Sequence, residues 1–211
     1  VAGIRAAQDA TQPSTADSSY PLSYQKSYAK AYQLWKNNLT TGANSFVNGE
    51  ANGNGSYNGQ GTNAGKQADK TALNAGYSSA LKGFQDAVNG SGKKEPTNST
   101  LGSAYDTGYN AYQDALAGIN AAKKSNSTDK INVGNPTPDK AFVDGYNAYI
   151  QAKVDVPNGK NVNDSSADAM YQTLYPVLNQ QLATSYQSGR DAYLNGYDVN
   201  ATTNSSDPLF V

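Results

Sequence analysis

Leu101, Tyr105, Gly108, Tyr109, Tyr112, Leu116 and Ile119 advance along the chain in steps of three and four. That spacing lines residues up on one face of a helix. Tyr171, Leu174, Tyr175, Leu178, Leu182, Tyr186, Gly189 and Tyr193 form a longer stripe of the same kind. No segment shows the strict alternation of a half-buried strand. The pattern therefore predicts an all-α fold, a bundle of about five main helices with long Asn/Ser/Gly-rich loops. Breaker-rich stretches at 40–65, 89–98, 125–137 and 156–164 separate the periodic segments. The helices are expected near 2–10, 21–39, 66–88, 100–123, 138–154 and 166–196. Thr137 followed by Pro138 marks one start, and Ser99 or Thr100 and Ser165 or Ser166 mark two others. Pro176, inside the last segment, is expected to kink or break it.

One unit recurs. Tyr105, Gly108, Tyr109, Ala111, Tyr112 and Ala115 return as Phe142, Gly145, Tyr146, Ala148, Tyr149 and Ala152. Weaker copies surround Gly76, Gly189 and Ala31, and successive units lie 32 to 45 residues apart. Spacing this uneven does not fit a strict solenoid; it fits helices of one design joined by loops of free length. Glycine inside a helix costs about 1 kcal/mol relative to alanine. Repeating it at one position implies a compensating gain: with no side chain there, a neighbouring backbone approaches closely, and flanking tyrosines fill the space beside it. The reading gives an N-terminal segment with a short helix over 1–19, a helical bundle domain over 20–197 and a C-terminal tail over 198–211.

Composition narrows the chemistry. The chain has no cysteine and no histidine, which excludes disulfides, thiolate nucleophiles, Cys/His metal sites and imidazole acid–base catalysis. A net charge of -1 offers no electrostatic attraction to nucleic acid. No apolar run approaches the roughly 20 residues that span a bilayer, and the opening residues do not read as a signal peptide. "NGQGTNAGKQ" (58–67) has glycines but lacks phosphate-loop spacing and the Ser/Thr after lysine. "NVNDSSAD" (161–168) lacks the ligand order of a calcium loop. No metal or cofactor is expected. Paired aspartates are the one catalytic scheme left, and Asp106, Asp114, Asp144 and Asp191 are expected on the polar sides of the helices.

The "GYNAY" helices (108–112 and 145–149), set between Asn/Ser/Gly-rich loops in a cysteine-free chain, resemble secreted and cell-surface proteins of lactobacilli. The resemblance covers roughly residues 20–196. It implies an extracellular, non-enzymatic role in adhesion or surface organisation, with a cell-wall polymer, exopolysaccharide, host glycan or host protein as partner. The alternatives are a carbohydrate-active enzyme, or an accessory domain of one, using Asp carboxylates, and a passive spacer. Exposed aromatic rings beside amides would suit a sugar, and Tyr57, Phe46 and Trp35 are the aromatic candidates. Arg190 stands where other units carry tyrosine. It is expected either to pair with Asp144 or Asp168, or to open onto a groove and hold an anionic group.

Overall fold

The computed structural model describes residues 2–8, 15–50, 63–96, 99–125, 127–132, 139–161 and 167–195. Among the described residues six α-helices follow one another: α1 (Ala2–Gln8), α2 (Leu22–Val47), α3 (Asn63–Val88), α4 (Ser99–Lys124), α5 (Lys140–Asp155) and α6 (Ala169–Leu194). A 3₁₀ turn, Val156–Asn158, extends α5. No strand occurs among the described residues. The all-α expectation holds, and most helix limits lie within a few residues of those read from the periodicity.

The departures have local causes. The segment from residue 40 begins as helix rather than loop: α2 continues to Val47, and its last turns bury Gly42, Ala43 and Phe46. Tertiary burial carries the helix through "TTGANS", where propensity alone favours a stop. Helix α5 is capped by Asp139, whose carboxylate accepts from Phe142 N at 2.9 Å; Thr137 and Pro138 lie outside the described residues. Helix α6 is capped by Asp168, which accepts from Met170 N and Tyr171 N at 3.0 and 3.1 Å; Ser165 and Ser166 lie outside the described residues. Pro176 sits on the exposed side of α6, and the helix runs through it without a break. Several helices use serine or threonine without losing regularity. Thr71, Thr107, Thr173 and Thr184 each turn their hydroxyl back to the carbonyl four residues earlier.

Contacts divide the chain into two compact units, Val1–Tyr112 and Gln113–Val211. The division falls within α4, and α1 belongs to the first unit.

In the first unit, the second half of α2 packs on the first half of α3, and the second half of α3 on the first half of α4. Asn38–Asp69, Gly42–Leu73 and Phe46–Tyr77 rise together along α2 and α3. Ser79–Leu101 and Gly83–Tyr105 do so along α3 and α4. Glycine sets how close these helices come. Gly42 faces the Leu73 carbonyl and Gly76 faces the Leu39 carbonyl, a reciprocal contact between residues three apart on each helix. Gly83 and Gly108 repeat it against the carbonyls of Tyr105 and Ala80. In each case a Cβ would land on the partner's carbonyl oxygen. The hydrogen that replaces it points at that oxygen instead, in a Cα–H···O contact. Large side chains fill the flanks: Phe46 meets Tyr77 and Phe84 edge-on at 5.5 and 5.6 Å.

The second unit follows the same rule. Gly118 faces the Phe142 carbonyl and Gly145 faces the Ala115 carbonyl, joining the end of α4 to α5. Helix α5 then packs on the first half of α6, burying Tyr149, Ile150, Met170, Leu174 and Tyr175.

Helix ends carry a second recurrent device. Gly49, Gly90 and Gly159 each adopt positive φ. Each follows an asparagine, and the residues after them return N–H groups to Ser45, Asp86 and Asp155, the Schellman arrangement. Asp86 and Asp155, both buried, then accept a tyrosine hydroxyl from the following helix. Tyr105 donates to Asp86 Oδ2 at 3.0 Å, and Tyr175 donates to Asp155 Oδ2 at 2.7 Å. Tyr105 oxygen also accepts the Lys94 amide at 2.9 Å. Tyr105→Phe is therefore expected to cost about 1–3 kcal/mol, since it strips the hydroxyl from a buried aspartate and a backbone N–H. Urea denaturation read by circular dichroism checks this, and an unchanged midpoint rules the lock out.

Candidate ligand-binding surface

The residues singled out from sequence separate once placed in the fold. Trp35 is buried with Leu39 and Ala72, against Ile4 and Tyr32. Phe46 is 1% exposed, at the centre of the aromatic cluster of the first unit. Both are core, and the expectation of Phe46 as an exposed loop ring is corrected by the extension of α2. Tyr57 lies outside the described residues. Arg190 is exposed, and its Nε lies 3.8 Å from Oδ1 of its neighbour Asp191. It pairs with neither Asp144 nor Asp168, because Lys140 bridges those two instead.

The aromatic surface lies elsewhere. Tyr20 and Tyr24 are 52% and 39% exposed at the start of α2, beside the exposed Leu22. Their ring centroids are 4.7 Å apart with planes tilted by 32°, and Tyr28 continues the row 6.3 Å beyond Tyr24. The approach to the helix is a built turn. Ser19 N donates to Asp17 Oδ1 at 2.7 Å, and Tyr20 N donates to the Asp17 carbonyl at 3.1 Å. From the helix, Gln25 Nε2 reaches back to the Tyr20 carbonyl at 2.6 Å. The backbone of Tyr20 is thus tied down while its ring is exposed, and Ser18, Ser19, Ser23 and Lys26, close by in the chain, are exposed too. Two adjacent, tilted rings on a tied backbone present flat apolar area at small ordering cost, as binding surfaces require. The sequence signal, tyrosines at steps of four, is present at Tyr20, Tyr24 and Tyr28. The same spacing marks the core elsewhere, so periodicity alone does not separate the two.

The second feature is a buried ionic cluster in the second unit. Lys140, at the start of α5, hydrogen-bonds both Asp144 one turn on and Asp168 at the cap of α6. Burial, together with the adjacent negative charge of Asp168, pushes the Asp144 carboxyl up to about 7 against the pull of Lys140. Burial alone would lower the Lys140 ammonium, but its hydrogen bonds to the two aspartates outweigh that and raise it. The cluster holds a proton near neutrality. Both carboxylates, however, are engaged in joining α5 to α6, one as ion-pair partner and the other also as helix cap. Among the described residues no group of three or more His, Cys, Asp or Glu side chains could hold a metal ion. No helix there is long and apolar enough to cross a membrane.

The chain matches no protein-family profile, and neither the curated proteins nor the solved structures yield a significant match.

Proposed function

We propose that this protein is a non-enzymatic extracellular surface module that binds carbohydrate of a cell envelope or a host surface. The Tyr20–Tyr24 platform at the start of α2 is its contact site. The observation that carries the reading is that two exposed rings lie against each other where a structured turn ties the backbone of Tyr20, whereas most tyrosines on the helical stripes are spent on packing. The composition supports placement outside the cell. A cysteine-free chain rich in Asn, Ser, Gly and Thr with few charges suits an envelope protein of a Gram-positive bacterium. The partner classes are wall polymer, exopolysaccharide and host glycan.

The test is an array of wall polysaccharides and host glycans probed with the purified chain, beside the Tyr20→Ala/Tyr24→Ala double variant. Both rings are exposed, so the variant is expected to melt with the parent while losing about tenfold or more in affinity, about 1.4 kcal/mol or more. Absence of any glycan binding by the parent, or equal binding by the variant, sinks the assignment.

A further inference from the structure

The second half of α6 carries a copy of the sequence unit, Tyr186, Gly189, Arg190, Ala192 and Tyr193, with arginine in place of the second tyrosine. Unlike the equivalent segments of α2 and α3, it is largely exposed. Tyr193 and Leu194 are 70% and 69% exposed, Tyr186 is 39% exposed, and Gly189 is half-buried. The stripe runs in phase, at steps of four and three, from Tyr171, Leu174, Tyr175, Leu178 and Leu182, the buried face of a helix that packs on α5. An established interface therefore continues along the same helix onto open surface.

The internal crossings show what fits such a face. In α2 on α3, α3 on α4 and α4 on α5, each helix offers a residue and a glycine three positions later. Each glycine rests on the carbonyl of the partner's first residue. The contact has local two-fold symmetry, so a helix bearing X-x-x-Gly is complementary to a second helix bearing the same element. A glycine at the crossing lets two backbones close on each other, and a self-complementary patch produces a closed dimer. We propose that Tyr186-x-x-Gly189 is a self-association surface, on which a second copy of this chain docks through its own Tyr186-x-x-Gly189 in a two-fold dimer.

Arg190 now acquires a reason. The residue after the glycine is Ala43, Tyr77, Phe84, Tyr109, Ile119 or Tyr146 in the internal crossings, and arginine only here. A guanidinium keeps the face hydrated in the separate chain and makes the contact weaker than the internal ones. The dimer is thus reversible, and replacing the charge with a ring strengthens it.

Sedimentation velocity of the full chain from micromolar to millimolar concentration tests this, with circular dichroism confirming that each variant stays helical. The parent is expected to pass from monomer to dimer. Gly189→Leu and Tyr193→Lys are each expected to weaken the dimer at least about tenfold, and Arg190→Tyr to tighten it by a similar factor. Because the chain has no cysteine, Arg190→Cys is expected to give an inter-chain disulfide on mild oxidation, whereas Ser23→Cys on α2 is not. A parent that stays monomeric over the whole range, or a dimer whose affinity neither Gly189→Leu nor Tyr193→Lys changes, overturns the proposal.

Discussion

Gly108→Leu and Gly145→Leu are each expected to lower the melting temperature by roughly 5–10 °C, the shift that corresponds to about 2–3 kcal/mol in a chain of this size. A Cβ at Gly108 would sit 2.7 Å from the Ala80 Cα, and one at Gly145 would sit 2.9 Å from the Ala115 Cα, with the carbonyl oxygens closer still. The atoms in the way are backbone, so no rotamer change relieves the clash; α4 must move off α3, or α5 off α4. Leucine's better helix propensity, worth about 1 kcal/mol over glycine, works in the opposite direction and does not compensate. Even Gly108→Ala is destabilising for the same reason. The control lies on the same helix. A Cβ at Gly102 would meet nothing closer than the Pro96 carbonyl at 3.8 Å, an ordinary contact. Gly102→Ala therefore gains most of the propensity difference and raises the melting point. If Gly108→Ala and Gly102→Ala shift stability in the same direction, close backbone approach is not what fixes these glycines.

Much of this architecture is legible in the sequence because the glycine costs something where it stands. Propensity disfavours Gly108 and Gly145 in mid-helix, so their recurrence beside tyrosine and alanine reports an interface, and the structure places one at each. The same signal underlies Gly42, but there "TTGANSFVNG" reads as loop because threonine, asparagine and serine surround it. Local composition hides the contact, and with it the buried place of Phe46. The helix-end lock was also visible in principle. "DAVNG" (86–90) and "DVPNG" (155–159) share an aspartate three residues before the asparagine of an Asn-Gly pair. That aspartate is the residue whose carbonyl and carboxylate both close the helix end. What the pattern does not yield is which stripe tyrosines face water. Tyr24 and Tyr105 follow the same spacing, and only the placement of a neighbouring helix makes one surface and the other core. Arg190 illustrates the limit. Its position on the stripe implies burial, yet the stripe outruns α5, and the residue ends beside Asp191 at the surface.

The ionic cluster joining α5 to α6 leads to the second large effect, one that depends on pH. Asp144 titrates near 7 in the folded chain against an ordinary value of 3.8. A carboxyl raised on folding contributes stability that is fully present below the ordinary value and is lost as pH climbs through the folded one. Between about pH 4 and 7 this group alone makes the fold less stable as pH rises. Asp86 runs the other way: its hydrogen bond from Lys82 lowers it, so its contribution is present above about 4 and is lost only in stronger acid. Asp114 is raised as well, chiefly by burial, and adds to the same slope, so the contribution of Asp144 is read from the difference between the parent and a variant that lacks its carboxyl. Asp144→Asn, which cannot ionise, is expected to flatten the profile between pH 4.5 and 8 and to leave the chain at least as stable as the parent at pH 8. Lys140→Met removes the cation shared by two carboxylates with little solvent access, 6% and 13% exposed at the side chain. At pH 8 it should cost about 3–5 kcal/mol, the usual penalty for leaving buried charge uncompensated. Much of that loss should return on acidification, because protonating Asp144 neutralises the charge that lysine had balanced. The double variant Lys140→Met/Asp144→Asn should recover most of the stability at pH 8 for the same reason. Melting curves of the four proteins from pH 4.5 to 8.5 decide the matter. Parallel profiles for parent and Asp144→Asn, with a Lys140→Met deficit that does not shrink in acid, would show that Asp144 is ionised throughout and that the cluster is an ordinary surface pair.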